Sequence, residues 1–395
     1  MRLSTAIGCT RFGPAFLTGP SLLASGQSTL LAKRTAGFDL EELIRSVKGC
    51  GFDENRYVEN NPDLRNDGFD GPQGMLHFLA IGHQQRRDVT CGPLPDGLEG
   101  IRSLAPRNRD YITGLFRSLF FSQARQAGTT DRLWDGIDRG VIDGIRDMGG
   151  QPYFVIGDSH TYHYLRRTSL GEKWLAALPI VCVGAAAMRL TTDDSRAGFG
   201  KRILQWARNS AAFGQSSDVP VFLKFGGIDA EAHWVRTRIR NGAYRFSIEE
   251  FDDFAREAVA CYGRFLDALT EVMDRRSLRI CAAYPAVIDD AHWVKVYVGM
   301  HRVSDQPFIA GELAKIEIPD RSTRTRLRRL FNEYLQEMCR AKSLVFVDDF
   351  SPFVDRSGET EELCYARYHG RNFHVSYAET EGRMVEVIAA AIGLA

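Results

Sequence analysis

The stretch QPYFVIGDSHTYHY, Gln151–Tyr164, decides how the rest of the chain reads. Its apolar run Tyr153–Ile156 predicts a buried strand, and Gly157-Asp158-Ser159-His160 follows at that strand's carboxyl end. In an open α/β sheet, ligands lie outside the carboxyl ends of the strands. Ser159 is then expected at the start of the next helix. Its hydroxyl would face a crevice, with free backbone N–H groups nearby to hold developing negative charge. The plainer reading of Gly-Asp-Ser is a turn and helix cap. What lies downstream decides between the two.

Downstream, the pattern alternates. Strand-like runs occur at Pro179–Val183, Val219–Phe225, Leu278–Tyr284 and Leu344–Val347. Helical patterns lie between them at 160–176, 199–213, 247–275 and 323–342, and a last one covers 378–394. The clearest helix has Ser247 as its cap and Glu250 three positions on. Phe251, Phe254, Ala258, Tyr262, Phe265 and Leu269 form its apolar stripe. Strands separated by helices of this length predict an α/β fold, a three-layer flavodoxin-like parallel sheet over residues 151–395. Asp289–Pro307, with His292 and His301, reads as an insertion or loop over the crevice.

Composition narrows the function classes. Fifty Lys and Arg balance fifty Asp and Glu over 395 residues, so no global field favours nucleic acid or an anionic membrane. The basic run RSTRTRLRR at Arg321–Arg329 reads as the solvated start of a helix. None of the eight cysteines forms a C-x-x-C pair, so neither a zinc site nor a dithiol redox motif is indicated. Cys182 and Cys281 fall inside apolar runs, as small hydrophobes do. The pattern fits a reducing compartment, so a cytoplasmic location is expected. No apolar run approaches the ~20 residues of a membrane span. No cofactor is implied, and the expected partner is a small-molecule or saccharide substrate.

Ahead of the sheet, residues 1–37 read as a disordered lead-in, 38–90 as a small helical module and 91–150 as a Pro/Gly-rich linker with helices. In the module, Phe52-Asp53, Tyr57, Asn61-Pro62-Asp63, His77-Phe78, Gly82-His83 and Arg87-Asp88 carry a resemblance. They resemble a small helical module found beside bacterial glycosyltransferase and polysaccharide-biosynthesis domains. His77 and His83 read as packing and turn residues there.

Three later features fall on the same rim as Ser159. Gly184 follows the second strand-like run in IVCVGAA. KFGGIDAEAHW at Lys224–Trp234 places Asp229 and His233 four apart. Asn372-Phe373-His374-Val375-Ser376 precedes the final helix. A serine nucleophile needs a base within hydrogen-bond reach, and the base needs an orienting acceptor. His374 is the natural base near neutral pH. His163, three residues after His160, reads as a packing residue.

GDSH at 157–160, FG-x-ID-x-x-x-H at Phe225–His233 and His374-Val375-Ser376 resemble the SGNH (GDSL-type) hydrolase superfamily, in its branch carrying Gly-Asp-Ser-His and Phe-Gly-Glu-Ile-Asp. The resemblance implies Ser159 as nucleophile, Ser159 and Gly184 as oxyanion donors, and His374 as base. Supporting or substrate-binding roles fall to Asp158, His160, Gly226, Gly227, Asp229, His233 and Asn372. It thus implies a serine ester hydrolase or O-acyltransferase, and the module's usual company suggests an acylated, acetylated saccharide. Two departures stand out. Ile228 occupies the place of an oxyanion-donating asparagine, and Arg371 that of the aspartate which orients the base. The orienting role then falls to Asn372, His369 or an acid such as Asp229. Two other readings use the same residues. One is a degenerate glycan- or protein-binding domain. The other is a binuclear metallophosphoesterase site drawing on Asp158, His160, Asp229, His233 and His374.

Overall fold

The computed structural model describes residues 52–61, 149–164, 169–170, 173–191, 198–212, 219–300, 305–377 and 379–394, with scattered positions in 43–48, 74–79 and 142–146. The chain divides into two compact units, Met1–Ser118 with Asp138–Gly150, and Leu119–Ile137 with Gln151–Ala395. The expected lead-in and His83 lie outside the described residues, as does nearly all of the linker.

In the first unit, helix α1 spans Glu54–Asn60. Asp53 caps it by accepting from the backbone N–H groups of Asn55 and Arg56, both at 3.0 Å. Phe52, Tyr57 and Phe78 form a ring cluster, and His77 Nδ1 lies 2.9 Å from the Tyr57 hydroxyl. His77 is a buried packing residue, as its sequence context suggested.

The second unit is an α/β fold. Its strands are β1 Gly150–Gly157, β2 Ser169–Leu170, β3 Lys173–Val181, β4 Val221–Lys224, β5 Leu278–Cys281 and β6 Val345–Val347. They form one sheet in the order β2-β3-β1-β4-β5-β6. β1, β4, β5 and β6 pair in parallel, while the two-residue β2 lies antiparallel to β3. Without β2, the order is 2-1-3-4-5 in chain sequence. That order reverses direction between β1 and β4, where a crevice must open at the carboxyl ends.

The strands are apolar on both faces because helices cover both. Tyr153 and Val155 of β1, Phe222, Cys281 and Val347 share one cluster with Met384, Val385 and Ile388 of the C-terminal helix Glu381–Ala391. The alternate residue Phe154 turns the other way and meets Trp206 edge-on. Trp206 belongs to α2, Phe199–Ala212. Among the described residues, the remaining helices are α3 Trp234–Asn241, α4 Ile248–Thr270, α5 Asp290–Gly299, α6 Gln306–Leu313, α7 Arg321–Ala341 and α8, the C-terminal helix just named. Ser247 caps α4 by accepting from the Glu250 N–H, as its sequence predicts.

Three expectations are corrected. The helix expected over 160–176 is absent among the described residues: a 3-10 turn covers Ser159–Tyr164 and β3 begins at Lys173. KWLAAL is rich in good helix formers, but Leu175–Leu178 are wholly buried within the sheet, and tertiary packing overrides that propensity. Asp289–Pro307 is no bare loop, since α5 fills most of it. The arginine run begins α7, as expected, but that start is only partly solvated: Arg326 and Arg329 are exposed, whereas Arg324 and Arg328, 5% and 4% exposed, face inward.

That inward face holds the loop after β5 by its main chain. Asn332 brackets Ala283, donating to its carbonyl at 2.9 Å and accepting from its N–H at 2.7 Å. Arg328 Nη1 donates to the carbonyls of Tyr284 and Pro285 at 2.9 and 2.8 Å. Thr325 accepts from the Ala286 N–H, Arg324 donates to the Ile288 carbonyl, and Arg321 pairs with Asp289. Burial pushes the Arg328 guanidinium down to about 9 and Arg324 to about 10.

Candidate active site

Ser159 opens the 3-10 turn at the end of β1, at the point where the strand order reverses. His374 lies 215 positions later, in the loop before α8. The fold brings its Nε2 to 2.8 Å from the Ser159 hydroxyl. The Asn372 side-chain oxygen accepts from the His374 backbone N–H at 3.1 Å and lies 2.9 Å from His374 Nδ1. A backbone N–H only donates, so the amide oxygen is the atom facing it, and the same oxygen must accept the ring's Nδ1–H. That leaves Nε2 bare to accept the Ser159 hydroxyl proton. The tautomer is therefore set by a neutral amide rather than by a carboxylate.

The other orienting candidates are elsewhere engaged or apart. Asp229 is fully buried. Its two carboxylate oxygens accept from the backbone N–H groups of Ala187 and Met188, at 2.6 and 3.1 Å. It fastens the turn after β3. Burial pushes its carboxyl up to about 6, against the pull of those two N–H groups. His369 is exposed, in a left-handed conformation.

Gly184 is the third residue of a tight turn closed by the Ala185 N–H on the Cys182 carbonyl at 2.9 Å. Its φ of +72° is the conformation that position requires. Gly226 also has a positive φ, +101°, and a Cβ there would strike the Phe331 ring. His233 Nε2 lies 3.5 Å from Arg189. Burial and the nearby Arg189, Arg236 and Arg240 lower its pKa to about 4. The Asp229–His233 segment is a single π-helical turn.

Asp158 and His160 form a close pair. Asp158 Oδ1 accepts from the His160 backbone N–H and faces His160 Nδ1, both at 2.8 Å. Burial pushes the Asp158 carboxyl up, but His160 outweighs it and holds the group below its usual value. Among the described residues, no three His, Cys, Asp or Glu side chains are placed together to hold a metal ion.

Behind the site runs a buried polar chain that the sequence did not reveal. The Tyr284 hydroxyl lies 2.9 Å from His163 Nδ1, whose Nε2 lies 2.8 Å from Thr380 Oγ1; Thr380 in turn donates to the Ser376 carbonyl. His163 also stacks on Tyr377, whose hydroxyl reaches the Ser159 carbonyl at 3.4 Å. Lys224, at the end of β4, pairs with Asp349 at 2.5 Å and lies over the Tyr284 ring. His163 is thus a packing residue, as expected, and Tyr284 links both networks. A tyrosine after a strand carries no sequence mark of such a role.

No family model and no curated protein matches the chain. Among solved structures, a GDSL-like lipase from Bacteroides thetaiotaomicron VPI-5482 is 11% identical, with 62% of this chain and 88% of that one covered, at a TM-score of 0.33. A lipase/acylhydrolase from Enterococcus faecalis is 12% identical over 62% of this chain and 96% of its own, also at 0.33. An α/β hydrolase from the metagenome of Lake Arreo, Spain, is 11% identical over 62% and 95%, at 0.31. Likeness at this level assigns no activity.

Proposed function

We propose that the chain is a serine-dependent ester hydrolase or O-acyltransferase. The observation that carries this reading is the 2.8 Å approach of His374 Nε2 to the Ser159 hydroxyl, with the ring's other nitrogen on Asn372. In this reading Ser159 attacks the ester carbonyl as His374 takes its proton, forming a tetrahedral oxyanion. The backbone N–H groups of Ser159 and Gly184 are assigned to that oxyanion, following the SGNH resemblance. Collapse expels the alcohol, which receives the proton from His374. Water or a sugar hydroxyl, deprotonated by the same ring, then takes the acyl group and frees Ser159. The resemblance of residues 38–90 supports an acylated, acetylated saccharide as the substrate.

The test is labelling of the folded protein by a fluorophosphonate ester. Labelling that disappears in Ser159→Ala and falls at least about a hundredfold in His374→Ala is expected. No labelling of the folded wild type, or equal labelling of Ser159→Ala, would overturn the reading.

A further inference from the structure

Two short segments face each other across the site, and they are built alike. In Asp158-Ser159-His160 the first side-chain oxygen accepts from the backbone N–H of the third residue and faces that residue's Nδ1. In Asn372-Phe373-His374 the same two contacts recur, at 3.1 and 2.9 Å. Each histidine then reaches the middle residue of the other segment. His374 Nε2 meets the Ser159 hydroxyl at 2.8 Å, and His160 Nε2 meets the Phe373 carbonyl at 3.3 Å. The two rings stand 5.3 Å apart, centre to centre. The contact is reciprocal: one crossing holds the two groups of the proposed reaction, and the other ties the His160 ring to the backbone of the base segment.

We propose that His160 is the positioning residue of this site. It fixes the Phe373-His374 peptide against the nucleophile turn and so holds His374 Nε2 on Ser159. The proposal rests on the reading of Ser159 and His374 given above.

A ring can serve as such a strut only if it is itself immobile, and His160 is. Its Nδ1–H is held by Asp158, and its edge packs against the Tyr284 ring at 5.7 Å. On the remaining side lies Gly227, where a Cβ would come within 3.1 Å of His160 Cε1, so the absence of a side chain there makes room for the ring. The Phe373 carbonyl that faces Nε2 can only accept, so the strut requires a proton on Nε2. The other Asp158 oxygen is buried, with no hydrogen-bond partner among the described residues. The base loop therefore lacks a carboxylate of its own but is anchored to one through His160. Its geometry is sensitive to that anchor, because displacing a reacting group by about 1 Å can cost about a hundredfold in rate.

The test compares fluorophosphonate labelling of wild type, His160→Phe and His160→Gln, with thermal unfolding of each. Phenylalanine keeps the ring's bulk and removes both donors, whereas glutamine keeps a donor near the Nε2 position. Labelling of Ser159 in His160→Phe is expected to slow about tenfold to a hundredfold. His160→Gln should recover to within about threefold of wild type by the same reasoning. Equal rates in wild type and His160→Phe would overturn the proposal. So would a Gln variant as slow as the Phe variant while melting like wild type.

A second measurement needs neither variant nor activity. Long-range ¹⁵N–¹H correlation on the wild-type imidazoles should show a proton on His160 Nε2, and a bare Nε2 overturns the strut even if the Phe variant does not fold. Wild type unlabelled at Ser159, with the Nε2 proton present, refutes the esterase reading and leaves the strut standing.

Discussion

Asn372 holds His374 by a single oxygen that accepts from both the backbone N–H and the ring Nδ1–H, at 3.1 and 2.9 Å. An amide in this place fixes the ring's tautomer and direction, but it offers no charge to an imidazolium. Replacement by alanine is expected to lower fluorophosphonate labelling of Ser159 by about tenfold to a hundredfold. Asn372→Asp should retain labelling and move the activity limb that reports the neutral base to higher pH by about one unit, since an adjacent carboxylate favours the charged ring. Unchanged labelling in Asn372→Ala, measured across pH 5–9, would show that the bond is idle.

Asp229 should leave a signature on stability. Its folded carboxyl sits at about 6 against an ordinary value of 3.8, so between those values the folded state holds a proton that the unfolded state has lost. Its contribution is full below about 4 and is lost as pH rises through about 6, amounting to about 2–3 kcal/mol. His233, lowered to about 4, works in the opposite direction over an overlapping window, its contribution being lost as pH falls. The informative quantity is therefore the difference between wild type and Asp229→Asn. Urea unfolding at pH 4 and pH 7 should show the variant losing less stability than wild type as pH rises. Parallel curves would refute the assignment.

Arg328 is paired with Glu231, and both side chains are 5% exposed. Trp293 donates to the other Glu231 oxygen at 2.5 Å. Arg328→Met strands a buried carboxylate and is expected to cost about 3–5 kcal/mol, whereas Arg328→Met with Glu231→Met should recover much of that loss. Denaturant midpoints of the two variants decide it. A single variant within about 1 kcal/mol of wild type would mean that the pair is not the buried anchor described.

The alternation of strands and helices was legible because strands buried on both faces are written as unbroken apolar runs. The start of β3 was not, since Lys173–Leu178 reads as well as a helix as it does as a strand until a sheet surrounds it. Motif and position pointed to Ser159 and His374, and the fold brings the two together, their catalytic role being the proposal made above. Their orienting partner was narrowed to three candidates, and only the loop geometry singles out Asn372. The parallel between Asp-Ser-His and Asn-Phe-His stands openly in the sequence. Its meaning depends on the two segments meeting across more than 200 residues, which no local pattern announces. Arg324 and Arg328 of α7 were not legible as inward-facing, because arginine is rarely buried and the carbonyls that receive them carry no sequence signal.

The way α7 holds the loop after β5 has an evolutionary corollary. From Ala283 to Ile288 its grip falls on peptide groups, which every residue supplies alike. Every side chain from Ala283 to Ile288 is itself buried, so the loop is fixed twice, by its packing and by its peptide groups. The packed side chains can be exchanged for others of like volume while the path of the loop through space is inherited unchanged.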